Sequence, residues 1–116
     1  MANIQSAAIT TTTVTVDQTI LTYTPAAGLK LKCIVIVGYP TAYSAAEVNM
    51  GTVYVQVGGV QKLEFRIQNT DLDSMPGLVV IPFGDGLSFT GSEAVRVSVT
   101  PASTTSFRWA AMQAYQ

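Results

Sequence analysis

Histidine is absent from this chain of 116 residues. Imidazole is the base or the ligand in Ser-His-Asp catalysis, in Cys-His catalysis and in most zinc sites, so all three are excluded. Cysteine is nearly absent. Cys33 stands alone, so no disulfide closes within the chain and folding needs no oxidising compartment. Its apolar surroundings suggest a buried structural thiol. Charge is scarce as well: 11% of residues are Asp, Glu, Lys or Arg, against roughly 25% in a typical domain. The net charge is −1 and no basic cluster occurs, which removes nucleic acid as an expected partner. No run approaches the length of a membrane-spanning helix, and the first ten residues lack the basic start and apolar run of a secretory signal. A membrane is therefore not an expected partner either. Low charge beside 48% hydrophobic residues has two accounts: a surface built from Thr, Ser and Gln, and a surface covered by neighbouring subunits. Both are expected here.

What is present is β-strand pattern, and residues 51–67 carry it most clearly. Val53, Val55 and Val57 are two apart, so an extended chain puts them on one face. Gly58-Gly59 follows, and hairpin turns need the positive φ that glycine adopts without a Cβ clash. A strict two-residue loop would set Val55 against Lys62 and Val53 against Glu64. One extra residue in the turn sets Val57 against Gln61, Val55 against Leu63 and Val53 against Phe65. A one-residue slip turns every side chain to the other face, so burial selects the second register. A three-residue loop with a bulge is expected, with Lys62 and Glu64 facing away from the core.

The length suits one domain, with residues 17–116 as a β-sandwich and residues 1–16 as an extended N-terminal arm or edge strand. Residues 1–6 read as a loose polar arm, and the Thr-rich segment after them favours extended backbone. Residues 19–24 form a short strand closed by Pro25 and Gly28. In residues 29–37, Leu31, Cys33, Val35 and Val37 form one face, while Ile34 and Ile36 continue the other. A strand apolar on both faces needs cover on both. For Ile34 and Ile36 that cover is either the protein's own second sheet or another subunit. Gly38-Tyr39-Pro40 ends the strand. Residues 41–50 and 69–77 are long connections. Residues 78–83 form a strand, Gly84-Asp85-Gly86 a turn and residues 87–90 a short strand. Val95, Val97 and Val99 alternate with Arg96, Ser98 and Thr100, and residues 107–115 close the chain. Eight or nine short strands with turn residues between them and no amphipathic helix indicate an all-β fold: an antiparallel β-sandwich, most simply a jelly roll.

No phosphate-binding loop, dinucleotide fingerprint or nucleophile elbow occurs, and no pair of carboxylates is placed to act together. The expectation is therefore no enzyme, no catalytic residue, no cofactor and no metal. Asn69, Asp71, Asp73 and Ser74 put hard oxygen ligands in one loop, but they lack the glycine and terminal glutamate of an EF-hand. A turn whose side chains bond local backbone is the simpler reading. Tyr39 and Tyr43 share a long connection, and with Tyr54 they offer faces on which a sugar could stack; closing the edge of the core is the alternative role. Ile9, Val14, Val16, Ile34, Ile36 and Trp109 are the candidate interface residues.

One stretch resembles a known group. Thr19-Ile-Leu-Thr-Tyr-Thr-Pro-Ala-Ala-Gly28, followed directly by a long apolar strand ending in Gly38, resembles the small virion structural proteins of tailed phages. The likeness continues through the Val53-Tyr-Val-Gln-Val-Gly-Gly59 hairpin and the Pro82-Phe-Gly-Asp-Gly-Leu-Ser-Phe89 turn and strand. It ends in the short aromatic strand Ala111 to Tyr115. It implies a jelly roll or related sandwich, assembly as a homo-oligomer with the trimer favoured, and the major capsid protein as partner. The expected role is that of a capsid decoration protein, located in the virion after synthesis in the host cytoplasm. A carbohydrate- or receptor-binding module of a tail or fibre remains the alternative. The resemblance implies no catalytic residue.

Overall fold

The computed structural model describes residues 3–12, 16–41, 49–68, 77–102 and 106–116. Eight strands run in the order β1 (Asn3–Thr11), β2 (Gln18–Tyr23), β3 (Lys30–Pro40), β4 (Asn49–Val57), β5 (Val60–Gln68), β6 (Gly77–Ser88), β7 (Val95–Pro101) and β8 (Phe107–Tyr115). They form two antiparallel four-stranded sheets, β1-β8-β3-β6 and β2-β7-β4-β5. This interleaved order is that of the eight-stranded jelly roll. Among the described residues there is no helix, and so none long and apolar enough to cross a membrane.

The core lies between the sheets and follows the period-two rule. β8 alternates without a break: Phe107, Trp109, Ala111, Gln113 and Tyr115 are buried, and the residues between them are not. Val53 and Val55 of β4 and Val95, Val97 and Val99 of β7 meet them from the opposite sheet. Ile34 and Ile36 are wholly buried in this same core, so the protein's own second sheet supplies the cover they need. Trp109 is also fully buried, its ring 6.0 Å from that of Phe107. These three belong to the interior of the sandwich rather than to an interface.

The central hairpin has the expected register along its body, with Val55 opposite Leu63 and Val53 opposite Phe65. The extra residue is not in the turn, however. Gly58 and Gly59 form a two-residue loop with φ of 60° and 80°, Val57 pairs with Val60, and Gln56 pairs with Gln61. Positive φ at both loop residues is the hairpin geometry that matches strand twist. The register shift falls one step later, beside Lys62, so the bulge sits in β5. Lys62 and Glu64 are exposed.

Bulges also correct three other expectations. In β3 the register skips Lys32, so Leu31 and Ile34 both point inward although they are three apart. Cys33, Val35 and Val37 therefore do not share the face of Leu31, and Cys33 is half-buried on the outer side rather than in the core. Opposite this point β6 runs on as one strand through Gly84-Asp85-Gly86, where a turn is expected from the sequence. Gly84 and Gly86 have φ of 58° and 107°, and Lys32 Nζ donates to the Asp85 carbonyl at 2.8 Å. In β2 a shift beside Ile20 lets Ile20 and Leu21 both reach the core.

β3 ends at Pro40 and takes in Gly38, which is there because of Trp109. A Cβ at Gly38 would overlap the indole ring, so only glycine fits in this row. At the N-terminus, Asn3 to Ser6 are not loose. They begin β1, an edge strand paired along its length with β8.

The buried polar groups of β8 find partners within the sandwich. Trp109 Nε1 donates to Thr11 Oγ1 at 2.9 Å. Gln113 Nε2 donates to the Val95 carbonyl at 3.1 Å and so links the two sheets. The Tyr115 hydroxyl donates to Gln113 Oε1 at 2.5 Å. The Tyr23 and Phe89 rings pack against Tyr115 at 5.3 and 6.1 Å. Burial, with nearby Tyr23 adding to it, pushes the Tyr115 pKa well above the ordinary phenol value of 10.0. In the unfolded chain this phenol ionises near pH 10, while the folded protein holds its proton. The stabilising contribution is therefore full below that pH and falls as pH rises through the window above it. The slope is at most roughly 1.4 kcal/mol per pH unit. Urea unfolding midpoints should drop from about pH 9 to about pH 11, and Tyr115→Phe should lose most of that dependence. A wild-type midpoint that stays level across the window would show that Tyr115 ionises alike in both states.

Candidate interaction face

Two outer surfaces remain once the core is closed, and they differ in chemistry. The outer face of β2-β7-β4-β5 is polar and charged. Arg96 Nη1 meets Asp17 Oδ2 at 2.9 Å, and Arg96 Nε donates to Thr19 Oγ1 at 2.7 Å. Lys62, Glu64 and Arg66 are exposed along β5. A small depression of about 260 Å³ is lined by Asp17, Tyr54, Gln56, Gln61 and Thr100. Ser98 beside it is buried, and its hydroxyl has no partner among the described residues.

The outer face of β1-β8-β3-β6 is different. Pairing aligns its outward residues in rows across the four strands. One row is Ile4, Ala114, Cys33 and Pro82, the next is Ser6, Met112, Val35 and Val80, and the third is Ala8, Ala110, Val37 and Leu78. Every position but Ser6 is apolar, and none is charged. Polar groups begin only at the ends. At one end, Arg108 Nη1 donates to Thr10 Oγ1 at 3.1 Å beside Tyr39; at the other stands the Lys32 contact to Asp85. Ile4, Leu78 and Val80 are 59%, 62% and 57% exposed. Strands about 4.8 Å apart and same-face residues about 6.8 Å apart give this grid a flat area of roughly 400 Å². That is within the range of the largest apolar patch on a typical monomer, and such patches often mark contacts.

The face has relief. An open depression of about 510 Å³ lies over β8, floored by Ala8 and Ala110 and walled by Ile4, Met112, Val35 and Val37. Alanine on adjacent strands makes the hollow, and Leu78 and Val80 stand as a ridge on β6.

The sequence-derived candidates are placed as follows. Ile9 packs against the core from β1, and Val16 is exposed. Val14, Tyr43 and the loop carrying Asn69, Asp71, Asp73 and Ser74 lie outside the described residues. Tyr39 and Tyr54 are on the outer faces of opposite sheets, so they do not form one platform. Among the described residues no three His, Cys, Asp or Glu side chains come together. Glu93 accepts from the Thr90 hydroxyl at 2.8 Å and the Thr90 backbone N–H at 2.9 Å, which hold its pKa below the ordinary carboxylate value. The apolar grid itself was visible in sequence only at β3. The alternate residues Ala110, Met112 and Ala114 of β8, and Leu78 and Val80 of β6, carry the same signal of strands apolar on both faces.

No family model matches this chain, and no curated protein sequence matches it. Solved structures do resemble it. A chain of the cyanophage Pam1 capsid asymmetric unit is similar at a TM-score of 0.56 with 16% identity, over 98% of this chain and 83% of that one. The CBM36-1 domain of a multidomain xylanase from the hindgut metagenome of Trinervitermes trinervoides is similar at 0.49 with 14% identity, over 98% and 97%. Dimeric latent PorU from Porphyromonas gingivalis is similar at 0.48 with 10% identity, over 97% of this chain but 12% of that one. At these identities the first likeness concerns the fold, and the other two carry no further weight.

Since Val80 is outside the core and Ile36 inside it, their substitutions should separate. Val80→Ser should change stability by no more than about 0.5 kcal/mol, whereas Ile36→Ser should cost several kcal/mol through the cavity and the buried hydroxyl. Equal losses in urea unfolding would show that this face is packed within the single chain.

Proposed function

We propose that this chain is a non-enzymatic structural protein of a tailed-phage particle: a decoration protein that binds the major capsid protein and stabilises the assembled shell. The observation that carries the reading is the fold likeness to a chain of the cyanophage Pam1 capsid asymmetric unit, which extends over 98% of this chain. It agrees in kind with the phage-like motifs of residues 19–115. The surface chemistry supports the same reading. A chain this poor in charge, with one sheet face apolar and uncovered, is built for contact with other proteins.

The stabilisation acts by mass action, because anything that binds the assembled shell and not its free subunits favours assembly. Copies linked in a homo-oligomer bind a repeating shell at several points, and such linkage strengthens weak contacts by factors on the order of 10²–10⁴. No group on the protein need react, in keeping with a sequence that has no histidine and no catalytic motif.

Cryo-electron microscopy and mass spectrometry of purified particles of the phage that carries this gene test the proposal. A jelly-roll density on the outer shell, at a copy number fixed relative to the major capsid protein, is the expected result. Absence from the particles would overturn the virion role, and density confined to the tail would overturn the capsid role.

A further inference from the structure

The apolar outer face of β1-β8-β3-β6 is matched to itself. The hollow floored by Ala8 and Ala110 lies on the β1–β8 side, and the ridge of Leu78 and Val80 lies on the β6 side of the same face. A two-fold axis lying in the plane of contact and parallel to the strands reverses the strand order between the copies, and so places the ridge of each over the hollow of the other. Stacked sheets pack about 10 Å apart when small residues face large ones in this way. We propose that the occupant of this face is a second copy of this chain, seated sheet to sheet about a two-fold axis.

Three observations favour a second copy. The grid has no charge, so juxtaposing it with itself brings no like charges together, a condition every two-fold contact must meet. The other exposed large apolar residues among the described ones, Val16, Tyr39, Val60 and Leu87, lie outside the grid. A head-to-tail contact needs two different complementary patches, and the described residues offer no second apolar grid, so the self-paired arrangement is preferred to the three-fold one expected from the sequence. Finally, interfaces between copies of one chain are more apolar than the general protein surface, and here Ser6 is the sole polar member. The flat area of roughly 400 Å² per copy is about half that of a standard interface. The pair should therefore be weak in free solution, with dissociation in the micromolar range, and should tighten where copies are held close together. This inference stands apart from the particle role, since it concerns the free protein.

Sedimentation velocity of the full chain across a range of concentrations provides the test. Wild type should pass from monomer to dimer as concentration rises. The double variant Leu78→Lys, Val80→Lys should stay monomeric, with association weakened at least tenfold, because each copy would place lysines in its partner's hollow. Ala8→Lys, on the hollow side, should do the same, and it keeps the test decisive if circular dichroism shows the first variant misfolded. Gln61→Lys, on the opposite sheet, should pair like wild type. A wild-type monomer at every concentration, a trimer as the smallest assembly, or a dimer indifferent to these lysines would overturn the proposal. A free monomer whose co-sedimentation with capsids is lost in the same variants would assign the face to the capsid protein, and would overturn self-pairing equally.

Discussion

The structure turns on one inserted residue, Lys32. A strand alternates its side chains with period two, so a single extra residue reverses every position beyond it. Before the insertion Leu31 points into the core; after it Ile34 and Ile36 do, and Cys33, Val35 and Val37 are turned outward. The same point is accommodated in β6, where Phe83 to Gly86 form the facing excursion and the Asp85 carbonyl accepts from Lys32 Nζ. Without this bulge the two isoleucines and the row of Leu31, Cys33, Val35 and Val37 would compete for one interior. With it, β3 serves a core on one side and an apolar surface on the other.

That division gives the molecule two unlike sides. The β2-β7-β4-β5 face carries Arg96 with Asp17 and the charged run of β5, as suits a surface in water. The β1-β8-β3-β6 face carries no charge across three rows of four strands. Between them, Gln113 ties β8 to the Val95 carbonyl, and Trp109 fills the space over Gly38, so the sandwich is closed without help from any further chain. The apolar outer face is thus surplus to folding.

Much of the fold is legible in the sequence, for identifiable reasons. The alternation of Val53, Val55 and Val57 against Leu63 and Phe65, the glycine pair of the hairpin and the boundaries of β8 all follow from side-chain period and turn chemistry. What is not legible is where bulges fall. Nothing in Leu31 to Ile34 says which residue is extra; that is decided by partners on β6 and β8, far away in sequence. The candidate interface inherits the same difficulty. Ile34, Ile36 and Trp109 are apolar residues in strands apolar on both sides, and only the bulge and the Gly38 contact reveal that they face inward. The outer residues Ala8, Ala110, Met112, Leu78 and Val80 form a surface only when four strands, distant along the chain, lie in register.

Cys33, Val35 and Val37 lie outside the core, on the face that a second copy is proposed to cover. Cys33 is the chain's single thiol and belongs to that face, so it reports directly. The most direct measurement is the rate of maleimide labelling of native protein at low and at high micromolar concentration, with the denatured chain as the reference rate. In dilute solution the thiol should be labelled at a rate within reach of the reference, falling as the chains associate. A thiol as protected in dilute solution as in concentrated solution would place the face inside the single chain. A rate that stays near the reference at every concentration would leave the face uncovered, and either result would rule out pairing through this face.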